Sequence, residues 1–140
     1  AVGERTAEEI KVAIGSAWPV QGEVKAEGRG RGLMSGLPKT VILSPAEVRE
    51  AISEPVTSIV QSVIACLGEA PPELAHDLIV RGMHLVGGGG MLKGLAHRIA
   101  EETDIPVTLM EQPLEAVVMG AGRSIEAYDQ LRVMFMGARG

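Results

Sequence analysis

The sequence predicts an α/β fold in which a parallel strand pair with crossover helices carries a small β-containing insertion. In the second half, short apolar runs bounded by glycines alternate with stretches whose apolar residues recur at helical spacing. In the first half, a turn-rich segment over residues 19–43 separates two helix-start signals. The 140 residues are 46% apolar, which is enough for one core and too apolar for a disordered chain.

The first helix signal is Thr6 followed three residues later by Glu9, the spacing of a capping box. It predicts a helix that starts at Thr6, runs through Ile14 and stops near Gly15. Two short alternating pieces follow, residues 23–27 and 40–43, on either side of a glycine-rich turn. We interpret them as short strands joined by turns.

A second capping box, Ser44 with Glu47, has Pro45 at the first helical position, where its missing N–H costs nothing. Pro55 lies inside the helix that this box opens and predicts either a kink or two abutting helices. The apolar residues of the helix recur at steps of three and four: Val48, Ile52, Val56, Ile59, Val63 and Leu67. A short helix over residues 73–80, ended by Gly82, follows.

The C-terminal half reads strand, helix, strand, helix, which predicts a parallel pair. Residues 83–86 and 105–110 are the predicted strands, with four glycines and a helix between them. The last helix opens at Pro113 and has one apolar stripe: Leu114, Val117, Val118, Ala121, Ile125 and Tyr128.

Composition excludes several functional classes. The net charge of −5 argues against a general nucleic-acid binder, and three aromatic residues make base-stacking platforms improbable. Cys66, the single cysteine, excludes an internal disulfide framework, and we interpret it as a small buried hydrophobe. No apolar run approaches the ~18 residues of a membrane-spanning helix. The composition is typical of a soluble, intracellular, globular protein.

The strongest candidate site is the run Gly87, Gly88, Gly89 and Gly90, which stands between a predicted strand and a predicted helix. Bare backbone N–H groups at such a place suit a nucleotide or another planar, polar ligand, although the spacing is neither a P-loop nor GxGxxG. A flexible turn is the alternative interpretation.

Other candidates are weaker. Glu8 and Lys11 share one face of the first helix, where a solvated ion pair is the plainer interpretation. Arg29 and Arg31 lie in a turn, where they either contact phosphate or are simply solvated. Gly120-Ala121-Gly122 in the last helix indicates either a backbone passing close by or a frayed helix. The residues show no metal-ligand spacing and no catalytic set of nucleophile, base and orienting group.

Several segments, taken in order, resemble the MreB/Mbl family of bacterial actins. They are residues 3–11, 14–17, Gly36-Leu37-Pro38-Lys39, 47–51, Pro71-Pro72-Glu73-Leu74-Ala75, 81–83, 85–94 and 113–122. The resemblance implies an actin-like (ribonuclease H-like) ATPase fold and matches the second half of such a protein. This chain would be the second large α/β domain with its small α+β inserted lobe. Residues 1–52 would be the small-lobe portion, and residues 53–140 the C-terminal part of the large domain.

The resemblance also implies a function. Proteins of this family polymerise beneath the cytoplasmic membrane and organise cell-wall synthesis in rod-shaped growth, so we expect part of an ATP-dependent cytoskeletal filament protein. Gly87, Gly88, Gly89, Gly90 and Met91 fall on the family's adenosine-binding loop. Glu8 and Lys11 fall on the helix that reaches the adenine and ribose from the opposite side. Gly120-Ala121-Gly122 falls on the helix of the hinge region.

The implied cofactor is ATP, with Mg²⁺ held by residues outside this chain. The implied partners are further copies in a filament, cell-wall elongation proteins and membrane scaffold proteins, without nucleic acid. The implied location is the cytoplasm, with the membrane reached through the filament and no direct membrane contact visibly encoded.

The family's phosphate-gripping turns belong to sequence that precedes Ala1, so we expect no ATP hydrolysis by this chain alone. A truncated, MreB-derived interaction module that binds filament or scaffold partners without nucleotide turnover is the alternative. A heat-shock chaperone or sugar kinase of the same fold is disfavoured by the Gly-Leu-Pro-Lys and Pro-Pro-Glu-Leu motifs.

Overall fold

The computed structural model describes residues 1–137, which contain eight helices and four short strands. Residues 138–140, the end of the predicted second domain, lie outside the described residues. In chain order the elements are α1 (Glu4–Ile14), β1 (Ala26–Arg31), β2 (Pro38–Leu43), α2 (Pro45–Ala51), α3 (Ser53–Gly68), α4 (Pro72–Arg81), β3 (Met83–Leu85), α5 (Gly87–Gly90), α6 (Leu95–Thr103), β4 (Val107–Leu109), α7 (Ala116–Glu126) and α8 (Tyr128–Gly137).

Helix α1 ends at Ile14, as predicted, but it starts two residues before Thr6. The N-cap is Gly3, whose carbonyl accepts a hydrogen bond from the Ala7 N–H at 3.0 Å, and no side chain caps the helix. The predicted capping box at Thr6 is therefore wrong. Its acidic member is engaged elsewhere, because Glu9 accepts a hydrogen bond from Arg5 at 3.1 Å.

The insertion is an antiparallel hairpin of β1 and β2, in register from Ala26 opposite Leu43 to Arg31 opposite Pro38. The strands are displaced from the predicted 23–27 and 40–43, since pairing continues through the glycines of residues 28–30. The hairpin packs on α1 around a small buried cluster with partly buried neighbours: Ile10, Ile14 and Val48, with Ala26 and Leu43.

The capping box at Ser44 is confirmed. The Ser44 hydroxyl accepts from the Glu47 N–H at 3.3 Å, and the Ser44 N–H donates to the Glu47 carboxylate at 2.8 Å. Helices α2 and α3 meet at 58°, which confirms two abutting helices. Pro55 lies in the first turn of α3, where the helix needs no N–H donor from it.

The parallel pair is confirmed, with β3 beside β4 from Met83 opposite Val107 to Leu85 opposite Leu109. Helix α6 crosses over between these strands. Its inward face meets α3 in the larger buried cluster, formed by Ala17, Val56, Val60, Leu95 and Ile99.

Three expectations about apolar residues are wrong. On α3, Val56 of the predicted stripe is buried, but the next buried residue is Val60, whereas Ile59 is 48% exposed. Cys66 is exposed rather than buried, because it lies on the outer face of the same helix. The predicted last helix is two helices divided at Ala127, and its stripe stays in solvent, with Ile125 76% exposed.

Among residues 1–137, no single helix has both the length and the apolar character needed to cross a membrane. Helices α2 and α3 reach that combination only when taken together, across their bend.

Candidate functional site

The glycine run forms a single helical turn of its own at the end of β3. Gly87 enters it with φ +78°, a backbone conformation that favours glycine, and its N–H donates to the Pro113 carbonyl at 2.7 Å. The long helix α6 starts only at Leu95. The sequence predicted these glycines at the N-terminus of that helix. They form instead the separate turn α5, which precedes it.

The glycines of this turn have different surroundings. A Cβ at Gly90 would lie 2.9 Å from Leu85 Cγ, so this buried glycine allows the turn to pack against β3. A Cβ at Gly89 would meet nothing within 4 Å, and one at Gly88 would make only ordinary contact with Leu114 at 3.5 Å. Gly88 and Gly89 thus present exposed backbone free of side chains, bordered by the half-exposed Met91.

Glu8 and Lys11 form an ion pair on the outer face of α1, with 2.6 Å between Glu8 Oε2 and Lys11 Nζ. Their side chains are 61% and 44% exposed, respectively. Within residues 1–137, no hydrogen bond or ion pair joins either side chain to residues 87–91. In the structure Glu8 and Lys11 therefore form a solvent-exposed ion pair. Their binding of a ligand stays a prediction.

The two predicted halves of the site are nevertheless joined through the main chain. The Ala17 N–H donates to the Lys93 carbonyl at 2.7 Å, and Lys93 Nζ donates to the Ala13 carbonyl at 2.8 Å. Gly94, with φ +74°, passes so close to Trp18 that a Cβ would lie 2.7 Å from the Trp18 Cβ. We call residues 13–18 with Lys93 and Gly94 the junction. It fixes the end of α1 to the segment that follows the glycine turn.

Arg49 of α2 joins Ser16 of the junction to Glu23, which precedes β1. Its Nη1 donates to the Ser16 hydroxyl at 2.6 Å and to the Glu23 carboxylate at 2.6 Å. Ser16 is only 1% exposed, so this bond satisfies a buried hydroxyl. The hydrogen bond from Arg49, aided by the Val20 N–H, holds the pKa of Glu23 below its ordinary value.

Sequence reasoning missed both Arg49 and Lys93. Arg49 lies 26 residues from Glu23 and 33 from Ser16, so no local spacing signals the contact. Lys93 lies 80 residues from Ala13, so no local spacing signals that contact either.

A cavity of about 240 Å³ lies beside the junction, between Trp18, Arg49 and Arg98. Both arginines are already paired, since Arg98 donates to Glu102 at 2.8 Å and to Thr57 at 2.9 Å. The cavity therefore has no uncommitted guanidinium for an anion.

Among residues 1–137, no group of three or more His, Cys, Asp or Glu could hold a metal ion. A Cβ at Gly120 or Gly122 would meet nothing within 4 Å, so the close backbone approach is not found there.

Comparisons with known proteins agree with one another. The family model described as MreB/Mbl protein matches residues 1–133. The chain is 46% identical over 128 residues to the cell shape-determining protein MreB of Escherichia coli K12, covering 91% of this chain and 37% of that protein. It is 41% identical over 130 residues to the cell shape-determining protein Mbl of Bacillus subtilis 168, covering 93% of this chain and 39% of that protein.

The fold matches two crystal structures of MreB5 of Spiroplasma citri, one bound to ADP and one to AMPPNP. Each has a TM-score of 0.87 and 29% sequence identity. The match to the ADP-bound structure covers 96% of this chain and 40% of that chain. The chain thus spans about two-fifths of the proteins that it matches.

Proposed function

The chain belongs to the MreB/Mbl family of actin-like, cell shape-determining proteins, and we propose that it supplies the adenosine-side wall of a nucleotide cleft. The whole protein would be an ATP-dependent cytoskeletal filament protein that organises cell-wall synthesis and rod shape. It would act in the cytoplasm, with further copies, cell-wall elongation proteins and membrane scaffold proteins as partners.

The exposed, side-chain-free backbone of Gly88 and Gly89 carries the proposal. Without a Cβ, this surface lets a flat base or a ribose approach the main chain closely. Its position is fixed, because Gly87 is bonded to Pro113 before the turn and Lys93 is bonded into the junction after it. The nucleotides bound to the two matching structures support an adenosine ligand.

Glu8 and Lys11 would face the adenosine from α1. A carboxylate accepts hydrogen bonds from hydroxyl or amino groups, and an ammonium donates to ring nitrogens or hydroxyls, so the pair offers both functions to a nucleoside. Since the junction ties the end of α1 to Lys93, the pair and the glycine turn would keep a constant separation.

We also propose that residues 1–52 form the small lobe and residues 53–140 part of the large domain. The two buried clusters support this division. One lies between α1, α2 and the hairpin. The other lies between α3, α6 and the parallel strands, and Ala17 is its buried member from residues 1–52.

ATP would be hydrolysed only in a protein that also contains residues outside this chain to bind the phosphates and Mg²⁺. The residues described here provide the base side of that cleft, and phosphoryl transfer requires charge and metal clamps on the reacting phosphate. The 140-residue chain alone would therefore not hydrolyse ATP. Phosphate release above a buffer blank, from protein freed of contaminating ATPases, would contradict this.

Binding of ADP, measured by titration calorimetry, tests the proposed surface. Gly89→Val places a branched side chain on the open backbone and should weaken ADP binding about tenfold or more. Gly68→Val is the matched control, since a Cβ there also meets nothing within 4 Å and the residue ends α3. Equal affinity for ADP in both variants would refute the adenosine surface.

A further inference from the structure

Lys93 follows the glycine turn by three residues, and the main chain between them is hydrogen-bonded. The N–H groups of Met91 and Leu92 donate to the carbonyls of Gly88 and Gly89, each at 3.2 Å. These two bonds fix the segment after the turn to the turn itself. The position of the Lys93 backbone therefore follows the position of α5.

The same residue bonds to the end of α1 through both its main chain and its side chain. The Lys93 carbonyl accepts from the Ala17 N–H at 2.7 Å, and residue 93 pairs with Ser16 in a parallel bridge. The Lys93 ammonium donates to the Ala13 carbonyl at 2.8 Å. That carbonyl belongs to the last turn of α1, where carbonyls have no partner within the helix and where a cation is favoured by the helix dipole.

The side-chain bond and the main-chain bond hold different parts of the structure. Helix α1 ends at Gly15, whose backbone is extended, so the bond at Ala17 holds the segment beyond the helix. The ammonium reaches back past this point and holds the helix itself. Helix α1 packs with α2 and the hairpin in one buried cluster, whereas Lys93 leads into α6 and the other cluster. The ammonium thus bonds α1 to the elements that carry the glycine turn.

We propose that Lys93 is a positioning residue of the adenosine site. Its ammonium holds α1 at a fixed distance from the glycine turn, so that the Glu8–Lys11 pair and the open backbone of the turn contact the same nucleoside. Both side chains of the pair are exposed, so the placement of α1 determines where they lie. The inference rests on the proposed adenosine site and assigns the residue that holds its two sides together.

The placement of α1 can be measured without any ligand, by double electron–electron resonance between two spin labels. Val12→Cys, at a position 68% exposed on α1, and the native Cys66, exposed on α3, provide one label on either side of the Lys93 bond. The distribution of distances between the labels should be narrow in this parent chain. Lys93→Met keeps an aliphatic side chain without a donor and should broaden it. Lys93→Arg keeps a cationic donor and should restore it.

Titration calorimetry with adenosine, which carries no charge, and with ADP measures the effect on binding. Lys93→Met should weaken both ligands by the same factor, about tenfold, because a displaced α1 loses its contacts with the nucleoside. Lys93→Arg should bring both affinities back to within about twofold of the parent. Glu8→Ala should weaken adenosine binding less in the Lys93→Met chain than in the parent, since the two residues act together. A loss confined to ADP would indicate a direct contact of the ammonium with phosphate and would overturn the positioning role.

Arg98→Met is the matched control, because it removes the same charge together with hydrogen bonds inside the other cluster, to Thr57 and Glu102. It should lower the free energy of unfolding but leave the distance distribution and the adenosine affinity unchanged. A purely structural role of Lys93 would give the same pattern in Lys93→Met. If circular dichroism shows that Lys93→Met does not fold, Lys93→Gln, whose side chain is one atom shorter than that of Lys, replaces it in every measurement.

The two proposals fail in different ways. If the parent chain binds neither adenosine nor ADP, the adenosine wall fails, and the positioning role fails with it. If the parent binds both ligands and Lys93→Met keeps either the parent affinity or the narrow distance distribution, the positioning role fails alone.

Discussion

The junction and the turn of the hairpin, residues 32–37 (the hairpin tip), are both glycine-containing irregular segments, yet their surroundings are opposite. In the junction, Ser16 is almost completely buried and bonded to Arg49, and Gly94 is pressed against Trp18. In the tip, Met34 is fully exposed, and a Cβ at Gly36 would meet nothing within 4 Å.

The difference shows what each segment contributes. The junction fixes distances between elements that would hold one ligand from two sides, so its polar atoms are paired and its glycine is required by packing. The tip offers side chains outward, so its glycine serves only the turn. Substitutions in the junction should therefore lower the free energy of unfolding of the chain more than substitutions in the hairpin.

The largest difference is expected between two glycines with similar positive φ. Gly94→Ala combines backbone strain at φ +74° with a Cβ that would lie 2.7 Å from Trp18 Cβ, and should lower the free energy of unfolding by about 3 kcal/mol. Gly36→Ala, at φ +67° in open space, should lower it by about 1 kcal/mol. Urea titrations followed by circular dichroism measure both. Equal losses would show that the junction is not close-packed.

Arginine substitutions sharpen the same comparison. Arg49→Ala leaves the buried Ser16 hydroxyl without its donor and Glu23 without its ion pair, and should cost about 2 kcal/mol of unfolding free energy. Arg31→Ala, on the exposed face of the hairpin, should cost less than about 0.5 kcal/mol. Urea titrations followed by circular dichroism measure the free energy of unfolding of both variants. A larger loss for Arg31 than for Arg49 would reverse the assignment of the two regions.

The chain passes from the hairpin to α2, which carries Arg49, through the capping box at Ser44. Ser44→Ala removes the acceptor of the Glu47 N–H and should lower the free energy of unfolding by about 1 kcal/mol. Thr6→Ala, at the unused box, should change it by less than about 0.3 kcal/mol, since no side chain caps α1. Thermal unfolding of the two variants and the parent chain measures both effects. A larger destabilisation by Thr6→Ala than by Ser44→Ala would contradict the structure.

The smallest effect is a dependence on pH. Because the pKa of Glu23 is lowered in the folded chain, its pairing with Arg49 adds stability above the ordinary pKa of 4.5, and that stability is lost as pH falls through the folded value. Glu23→Gln should therefore flatten the fall in stability below this pH. Arg49→Gln should flatten it less, because the hydrogen bond from the Val20 N–H to Glu23 remains. Unchanged acid profiles in both variants, measured by urea titration at several pH values, would rule the pair out as the cause.

How much of the fold the sequence predicts depends on how local each signal is. The Ser44 box and the break before Pro55 depend on residues close together in the chain, and both are confirmed. The parallel strand pair joins residues 24 apart and is confirmed as well, because the order strand, helix, strand predicts it without any residue contact. The Thr6 box has the same motif and fails, because α1 begins at Glu4 with Gly3 as its N-cap, and Thr6 therefore lies inside the first turn. A local motif therefore predicts a cap only when the helix begins at that motif.

The misplaced core residue on α3 has a geometric cause. The predicted stripe correctly includes Val56, which is buried, but it continues by three residues to Ile59, whereas the buried face of α3 continues by four residues to Val60. Both steps fit a helical period, so the spacing alone does not distinguish them. For the site, sequence located the glycine turn and the Glu8–Lys11 pair. It could not find the contacts of Arg49 and Lys93, which join segments 26 to 80 residues apart.

The adenosine wall is tested most directly by titrating ADP into the ¹⁵N-labelled 140-residue chain and following every backbone amide by NMR. Saturable shifts should be concentrated at Gly88, Gly89 and Met91 and on α1 around Glu8 and Lys11, and the hairpin tip should be unaffected. Saturable shifts located elsewhere, or no saturation at any ADP concentration, would contradict the adenosine wall.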